Sequence, residues 1–470
     1  APPPHTPQDG GTPTPQPRGR GGGMGPPQRA KSQVRNSTTC PLLKEVQQGA
    51  TVADQPIVSL VYCEDYEPQR VEAAVRRAID LLGGIGQYVR PGQRVVLKPN
   101  LLRAMAPERA SSTHPSVVRA MVRLVQEAGA TPIIADSPGG PYTPLMLRRV
   151  YEKTGMAQVA RETGAELNYD TGVVRVPNPD GRLLKLLDVI AVVARADVVI
   201  NLPKLKTHNL TRLTAATKNL FGVVPGVTKL GYHAKLQSAL PFSRGLIDII
   251  RYVRPVLSIT DGIVAMDGNG PSGGDPFAGR VLLASPDAVA ADVVAMSLVG
   301  WEPLSMPTIR VAAEWGLCTG RLSDIELRGD PLDRFDLRGF RPGTATAVDP
   351  GLVPRGLLGR LRRLLAARST NGRSTADVNL SPESLDVGTV PRRFRRWATL
   401  QLVVTPRAGA GCTGCGYCAE HCPMRAITMS DGRARMDPTL CIRCYCCHEL
   451  CPQLAVELHR TFLGRLLFGG

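Results

Sequence analysis

The sequence contains few aromatic residues and no long apolar run. Phe, Trp and Tyr make up 4% of the 470 residues, and no run of cations is interleaved with them. Although the formal net charge is +17, we therefore do not expect nucleic acid as a partner, because such sites combine clustered cations with stacking aromatics. No uninterrupted apolar stretch approaches the ~18–20 residues that cross a bilayer, so no membrane span is expected. The N-terminus also lacks the apolar core of a signal peptide, which predicts a cytoplasmic location.

Cysteine is scarce outside one short segment. Nine of the twelve cysteines lie between residues 412 and 451, and the others are Cys40, Cys63 and Cys318. So few thiols over the rest of the chain exclude a disulfide scaffold and favour a reducing compartment.

The clustered cysteines repeat one spacing. The run C-x2-C-x2-C-x3-C-P occurs twice, with an offset of 441 − 412 = 29 residues. It is the ligand run of bacterial two-cluster ferredoxins, in which the fourth cysteine of each run binds the other cluster. The spacing therefore predicts two [4Fe–4S] clusters. The expected ligands are Cys412, Cys415, Cys418 and Cys451 for cluster 1, and Cys441, Cys444, Cys447 and Cys422 for cluster 2.

Zinc is the alternative for any Cys-x2-Cys pair. Two complete four-cysteine runs, each followed by proline, favour iron–sulfur clusters over zinc. Cys446 falls outside the repeat, and we expect it to be a buried thiol.

Between about Gln55 and residue 333, β-branched runs alternate with segments of helical periodicity. This rhythm predicts an α/β fold, with a mostly parallel sheet covered by helices on both faces. The C-terminal cysteine region adds a small α+β ferredoxin-like domain. The expected strands are Ile57–Tyr62, Arg94–Lys98, Thr131–Ala135, Asp197–Leu202, Val256–Thr260 and Arg280–Ala284.

The composition divides the chain into four parts. Residues 1–52 begin with a segment rich in Pro and Gly and are expected to be disordered. Residues 53–333 form the α/β domain, 334–396 a basic linker or insertion, and 397–470 the two-cluster domain.

Polar residues follow several of the expected strands. Lys98 ends the second strand and Asn100 follows it, while Asp136 follows the third, Lys204 the fourth and Asp261 the fifth. In a parallel sheet these positions meet at one edge, where ligands bind. The sequence therefore predicts a polar site at that edge.

Half of the lysines occur in one segment. Of the 57 cations 10 are Lys, and five of these are Lys204, Lys206, Lys218, Lys229 and Lys235. Ammonium groups change their pKa readily on burial, so this concentration suggests anion binding or amine chemistry; a solvated basic loop is the alternative. The candidate catalytic residues are Lys204, Lys206, His208, Lys218, Asp136 and Asp261, and the candidate substrate-binding residues are Lys98, Asn100, Asn219 and His233.

Six stretches of the α/β region resemble a family known as domain of unknown function 362, which is often joined to a ferredoxin module. The resemblance covers about residues 55–330 and 405–455, and implies an iron–sulfur protein without an agreed reaction. KTH followed by KN-x-FG is also similar to the lactate-racemase type of α/β enzyme. The matching stretches are VVLKPNLL (95–102), THPSVVRAMVRLVQEAGA (113–130), ADSPGG (135–140), NLPKLKTH (201–208), ATKNLFGVVPG (216–226) and TDGIVAMDGNGP (260–271).

Three functions fit these features. The leading hypothesis is an oxidoreductase whose clusters relay electrons from a redox partner protein or reductase to a small anionic substrate at the strand ends. The second is an enzyme that isomerises or hydrolyses a hydroxy acid, in which the clusters only stabilise the protein or sense oxygen. The third is a pure electron carrier that docks to a larger complex. Whether a flavin or a divalent metal joins the site is left open.

Overall fold

The computed structural model describes residues 55–344 and 404–459. The expected disordered N-terminus and residues 345–396 of the expected linker lie outside these ranges. Within the described ranges, no helix is both long and apolar enough to cross a membrane.

Strands and helices alternate through the first range, and short elements follow in the second. The strands are β1 (Ile57–Tyr62), β2 (Arg94–Pro99), β3 (Thr131–Ile134), β4 (Glu166–Leu167), β5 (Val173–Pro177), β6 (Leu186–Ile190), β7 (Val198–Leu202), β8 (Lys204–His208), β9 (Arg212–Thr214), β10 (Leu257–Asp267), β11 (Asp275–Ser285), β12 (Glu326–Gly329), β13 (Thr405–Ala408), β14 (Ile427–Ser430), β15 (Arg433–Met436) and β16 (Val456–His459). The α-helices are α1 (Pro68–Asp80), α2 (Pro115–Glu127), α3 (Pro144–Lys153), α4 (Met156–Thr163), α5 (Ala191–Ala194), α6 (Ala216–Asn219), α7 (Thr228–Lys235), α8 (Ala239–Val253), α9 (Ala288–Leu298), α10 (Pro307–Glu314), α11 (Tyr417–Glu420) and α12 (Cys446–Leu450). Short 3₁₀ helices lie at Ile85–Gln87, Pro107–Arg109, Leu220–Val223, Pro303–Ser305, Leu322–Asp324 and Leu332–Arg334.

A mostly parallel sheet forms the centre of the α/β region. Its strand order is β12-β1-β11-β10-β7-β2-β3-β4, with β8 paired to β10 and β9 to β8. The pairs β10–β7, β7–β2, β2–β3 and β3–β4 are parallel, whereas β11 runs antiparallel to both of its neighbours. The fold class predicted from the sequence is confirmed.

Helices cover both faces because the central strands are apolar on both sides. Successive residues of a strand point to opposite faces. Val95 and Leu97 of β2 pack into the core beneath α1 and α2, whereas Val96 packs with Phe242 and Leu246 of α8.

Local capping sets where α1 and α2 begin. In α1, Pro68 occupies the first turn and the Glu67 carboxylate accepts the backbone N–H groups of Gln69 and Arg70. In α2, Pro115 follows His114, whose ring accepts from the N–H of Ser116. Proline at the first helical position is pre-organised for the helix and removes a donor that would lack a partner.

The described part of the expected linker lies against the α/β region. Phe335, Leu337 and Phe340 join the core formed by β1, β11 and α9. Arg341 binds Asp267 through two nitrogens, with Nη2 2.7 Å from Oδ1 and Nε 2.9 Å from Oδ2. These contacts hold residues 335–341 next to the loop that follows β10.

The C-terminal region contains two small antiparallel pairs, β13–β16 and β14–β15. The helices α11 and α12 lie within the first and second cysteine runs and contact each other. This region therefore repeats one strand–loop–helix pattern around its cysteines.

Candidate functional site

A polar cavity lies at the carboxyl ends of β2 and β3. It has a volume of about 80 Å³, enough for several water molecules or one small organic anion. Its position agrees with the rule that ligands bind beyond the strand ends of a parallel sheet. The cavity is lined by Lys98, Asn100, Leu102, Asp136, Ser137, Gly139, Gly140, Lys218, Asn219, Phe221, Gly222, Gly226, Lys229, Leu230, His233, Cys446, Glu449 and Leu450.

Lys98 and Asp136 form a buried ion pair in the cavity wall. Nζ of Lys98 lies 2.7 Å from Oδ1 of Asp136, and the backbone N–H of Leu101 donates to Oδ2 at 2.7 Å. Burial lowers the pKa of Lys98, and the Asp136 charge opposes that shift. Removing one partner of such a pair costs about 3–5 kcal/mol, because the other charge is left unpaired.

Three asparagine amides connect this pair to the neighbouring strands. Asn219 donates to the carbonyl of Lys98 at 3.1 Å and to Oδ1 of Asn201 at 2.8 Å. Its own Oδ1 accepts from Lys98 at 3.2 Å and from Nδ2 of Asn100 at 2.9 Å. The amides fix the polar wall, since each buried donor and acceptor has a partner.

Lys204 and Asp261 form a second buried pair that does not line the cavity. Nζ of Lys204 donates to Oδ2 of Asp261 at 2.9 Å and to the hydroxyl of Tyr66 at 2.7 Å. The Tyr66 hydroxyl donates to Oδ1 of Asp261 at 2.7 Å, and the Tyr66 ring stacks on His114. This cluster ties β8 and β10 to the segment before α1.

Lys206 and His208 project from the same face of β8 as Lys204, because side chains alternate along a strand. Nζ of Lys206 donates to Oδ1 of Asn100 at 2.8 Å and to the carbonyl of Ser111. Burial lowers the pKa of Lys206 far below its usual range, and the nearby Lys218 charge adds to the shift.

His208 faces a carboxylate from the C-terminal region. Its Nδ1 accepts from the backbone N–H groups of Leu210 at 3.1 Å and Thr211 at 3.3 Å, which leaves the proton of the neutral ring on Nε2. Nε2 lies 3.2 Å from Oε1 of Glu449, a close polar contact without hydrogen-bond alignment. Burial alone would raise the pKa of Glu449, but His208 and Lys218 outweigh it and lower the pKa to about 2.

Lys218 is held in the cavity by a short helix. Its Nζ lies 5.0 Å from the ring centroid of Phe221 and 5.7 Å from that of Phe242. The carboxylate of Asp292 accepts the backbone N–H groups of Ala216 at 2.7 Å and Thr217 at 3.1 Å. These bonds anchor the first turn of α6, which carries Lys218. Burial raises the pKa of Asp292 to about 7.

Lys229 and His233 enter the cavity from α7. Nζ of Lys229 donates to Oγ of Ser137 at 3.2 Å and to the carbonyls of Ser137 and Pro138, and burial lowers its pKa to about 7. The His233 ring stacks on Phe242 with centroids 4.5 Å apart. Its Nδ1 is buried and has no partner among the described residues, and burial lowers its pKa to about 3.

The C-terminal region closes one side of the cavity through α12. Arg103 donates to the carbonyl of Cys451 at 2.7 Å and to that of Glu449 at 3.3 Å. Ser272 donates to the carbonyl of Glu449 at 3.0 Å, and Nε2 of His448 lies 3.0 Å from the carbonyl of Asn269. Loops of the α/β region thus hold the C-terminal half of α12.

Two glycines permit this close approach. A Cβ on Gly139 would lie 2.6 Å from Cδ2 of Leu450, and a Cβ on Gly140 would lie 2.5 Å from the hydroxyl of Tyr417. Gly140 also has a φ of 97°, which side-chain-bearing residues rarely adopt. The Gly-Gly pair after β3 therefore forms part of the contact between the two regions.

The cysteines divide between two smaller cavities. One is lined by Cys412, Cys415, Cys418 and Cys451, and the other by Cys422, Cys441, Cys444 and Cys447. The N–H of Ala426 donates to Sγ of Cys422 at 3.3 Å, and that of Ala455 to Sγ of Cys451 at 3.2 Å. Such bonds stabilise thiolates, so these donor sets fit the [4Fe–4S] clusters that the spacing predicts.

The backbone repeats with the same offset as the cysteines. Each left-handed residue between positions 412 and 425 has a counterpart 29 positions later. The pairs are Gly414 (φ 69°) with Arg443 (57°), Gly416 (74°) with Tyr445 (59°), and Arg425 (51°) with Leu454 (53°). The two runs therefore form the same loop.

The predicted site residues separate into two groups. Lys98, Asn100, Asp136, Lys218, Asn219 and His233 line one cavity, whereas Lys204, Lys206, His208 and Asp261 lie behind it along β8 and β10. Sequence reasoning did not assign Tyr66, Arg103, Asp292 or Glu449 to the site. Nothing local marks these residues. Lys229 stood within the lysine-rich segment, and that concentration was the signal available for it.

Together, the α/β sheet with its strand-end cavity and the paired cysteine cavities define an iron–sulfur protein with a ferredoxin-type electron-transfer region. Residues 95–297 match the family described as Domain of unknown function (DUF362), and residues 411–455 match the 4Fe-4S dicluster domain. The chain belongs to the DUF362 family.

Several known proteins are similar to this chain. It is 38% identical over 261 residues to a thylakoid-associated protein of Synechocystis sp., a match that covers 55% of this chain and 79% of that protein. Over 48 residues it is 42% identical to one subunit of an ion-translocating oxidoreductase complex of Methanosarcina acetivorans, covering 10% of this chain and 18% of that protein. The lactate racemase apoprotein from Thermoanaerobacterium thermosaccharolyticum is similar with a TM-score of 0.33 and 14% identity, over 52% of this chain and 57% of that one.

Proposed function

We propose that this protein is an oxidoreductase whose ferredoxin-type region delivers electrons to a small anion held in the polar cavity. The observation that carries the proposal is the position of α12. Cys446, Glu449 and Leu450 line the polar cavity, whereas Cys444 and Cys447 line a cysteine cavity. The polar cavity and this cysteine cavity therefore adjoin different sides of the same short helix.

The proposed cluster ligands are the two sets of four cysteines that line the smaller cavities. These are Cys412, Cys415, Cys418 and Cys451 for one cluster, and Cys422, Cys441, Cys444 and Cys447 for the other. When bound, such clusters supply single electrons. A redox partner protein is the proposed donor, and the scarcity of cysteine elsewhere supports a reducing, cytoplasmic compartment.

The proposed substrate is a small organic anion. Lys229 offers positive charge to the cavity, Lys218 presents an amine to it, and the amides of Asn100 and Asn219 offer fixed dipoles. Lys98 is already neutralised by Asp136, so the pair is suited to proton transfer and to positioning Asn219. We assign Lys204, Lys206, His208 and Asp261 to holding the polar wall and α12 in place.

Anaerobic reoxidation kinetics test this function. The full chain, reconstituted and reduced, is mixed with a panel of small carboxylates and oxo acids while the cluster absorbance is followed. At least one compound is expected to accelerate reoxidation, and Lys229→Gln should slow that reaction at least tenfold. Reoxidation by ferricyanide, which needs no cavity, should be unchanged in the variant.

Two further measurements distinguish the other candidate functions. Turnover of a hydroxy acid that continues with fully oxidised clusters contradicts the electron relay and supports an isomerase or hydrolase. If no anion raises the thermal midpoint of the protein, the cavity binds no substrate and a pure electron carrier is supported instead.

A further inference from the structure

Lys218 presents an amine to the cavity without a charged partner. Among the described residues its Nζ has no hydrogen-bond acceptor and no ion pair, and its contacts are the faces of Phe221 and Phe242. Lys98, in contrast, is paired with Asp136 at 2.7 Å. Lys218 is therefore an amine that the fold places at the cavity without a direct ion pair, and the Glu449 carboxylate, which lines the same cavity, acts on its charge.

The surroundings of Lys218 favour its neutral, nucleophilic form. Burial has the largest effect on the pKa of Lys218 and lowers it. Glu449 and Cys446 oppose the shift, and the smaller effect of the Lys98 charge adds to it. Lysines become nucleophiles in proteins through these same causes, desolvation and a neighbouring cation.

A second group with an unused nitrogen lies beside this amine. His233 stacks on Phe242 and meets Phe221 edge-on, so it shares both aromatic neighbours with Lys218. Its buried Nδ1 has no partner among the described residues, and the ring lines the same cavity. A neutral imidazole in this position can accept a proton and return it.

We propose that Lys218 forms an imine with the carbonyl group of a small 2-oxo acid. Nζ adds to the carbonyl carbon, and the C=O π bond becomes a C–O bond. His233 passes one proton from nitrogen to the oxygen, which gives a carbinolamine. A second proton follows the same route, so that the oxygen leaves as water when the C=N bond forms, and the imine nitrogen then takes up a proton from solvent. Lys229 binds the carboxylate of the acid. This inference rests on the proposed function and names its substrate class, since a protonated imine accepts electrons more readily than the parent ketone.

Reductive trapping tests the imine. The full chain, purified anaerobically with its clusters, is incubated with pyruvate and sodium cyanoborohydride, and the products are mapped by peptide mass spectrometry. The expected product is one carboxyethyl group on Lys218. In Lys218→Arg, which keeps the charge, labelling should fall below one tenth of the wild-type level, and in His233→Gln it should slow about tenfold or more.

The controls separate this inference from the proposed function. Lys185→Arg changes an exposed lysine and should leave labelling unchanged, and cluster absorbance checks that each variant is folded. Lactate, which has a carboxylate but no ketone group, should raise the thermal midpoint without forming an adduct.

Two results overturn the imine: no adduct with pyruvate, or equal labelling of Lys218 and the exposed lysines. If pyruvate then still raises the thermal midpoint, the anion site remains, whereas no shift with either acid contradicts the proposed function as well.

Discussion

At the scale of single residues, identical side chains have different roles because of partners far away in the chain. Lys204 is neutralised by Asp261, 57 positions later, whereas Lys218 contacts aromatic rings. Both occur in one lysine-rich segment. The sequence predicted that segment and the strand-end residues Lys98 and Asp136, because these depend on local pattern. It could not separate the paired lysines from the free amine, since the pairing depends on tertiary contacts.

His233 is expected to make the protein less stable at mildly acidic pH. Burial lowers its pKa to about 3, against about 6.5 in an unfolded chain. Below about pH 6.5 the unfolded chain therefore binds a proton that the folded protein does not, and stability falls as the pH decreases. Between pH 7 and pH 5 this loss is on the order of 2 kcal/mol.

Anaerobic scanning calorimetry of the wild type and His233→Phe measures this effect. The variant keeps an aromatic ring on Phe242 and should lose less of its thermal midpoint between pH 7 and pH 5. Asp292 and His114 also affect stability in this range. Both residues are present in the two proteins, so their contributions cancel when the two pH profiles are compared. Parallel pH profiles for the two proteins would contradict the assignment.

At the scale of secondary structure, the expected strands exist, but two of them are longer than the local sequence pattern predicted. The sequence indicated Val256–Thr260 and Arg280–Ala284, whereas β10 and β11 span Leu257–Asp267 and Asp275–Ser285. These strands pair antiparallel along most of their length, with an irregularity between Gly262 and Val264. Their glycines and charges oppose a strand locally, and the pairing overrides that preference.

The four-residue helix α6 depends on Asp292 in the same non-local way. Helices this short are not stable alone, and the Asp292 carboxylate accepts two N–H groups of its first turn. Asp292→Ala leaves both buried donors without partners, at a cost of about 1–3 kcal/mol each. We expect faster amide hydrogen exchange in residues 214–222, measured by mass spectrometry.

Asp287→Ala is the matched control for that experiment. Asp287 caps the start of α9 by accepting the N–H groups of Val289 and Ala290, so its loss should destabilise the protein without selectively exposing α6. Similar exchange in residues 214–222 for both variants would show that Asp292 has no specific role there.

At the scale of the whole molecule, the ferredoxin-type region forms one wall of the cavity in the α/β region. Each region was predictable from its own motifs, but their contact was not. Glu449 and Leu450 stand within a cysteine run whose spacing concerns only the clusters, and Arg103 follows a strand without any special pattern. The Gly-Gly pair after β3 was visible in the sequence, but its partner surface was not.

Gly139→Val is expected to weaken that contact. The added side chain would overlap Leu450, since even a Cβ would lie 2.6 Å from its Cδ2, and α12 must move away from the cavity. Hydrogen exchange in residues 445–451 should increase, and substrate-dependent reoxidation should slow at least tenfold while the cluster absorbance stays unchanged. In Gly86→Val the new side chain meets open space, and neither quantity should change. The electron relay requires α12 to lie between the polar cavity and the adjoining cysteine cavity. If α12 is displaced in Gly139→Val and the substrate still reoxidises the clusters at the normal rate, the electron relay is contradicted.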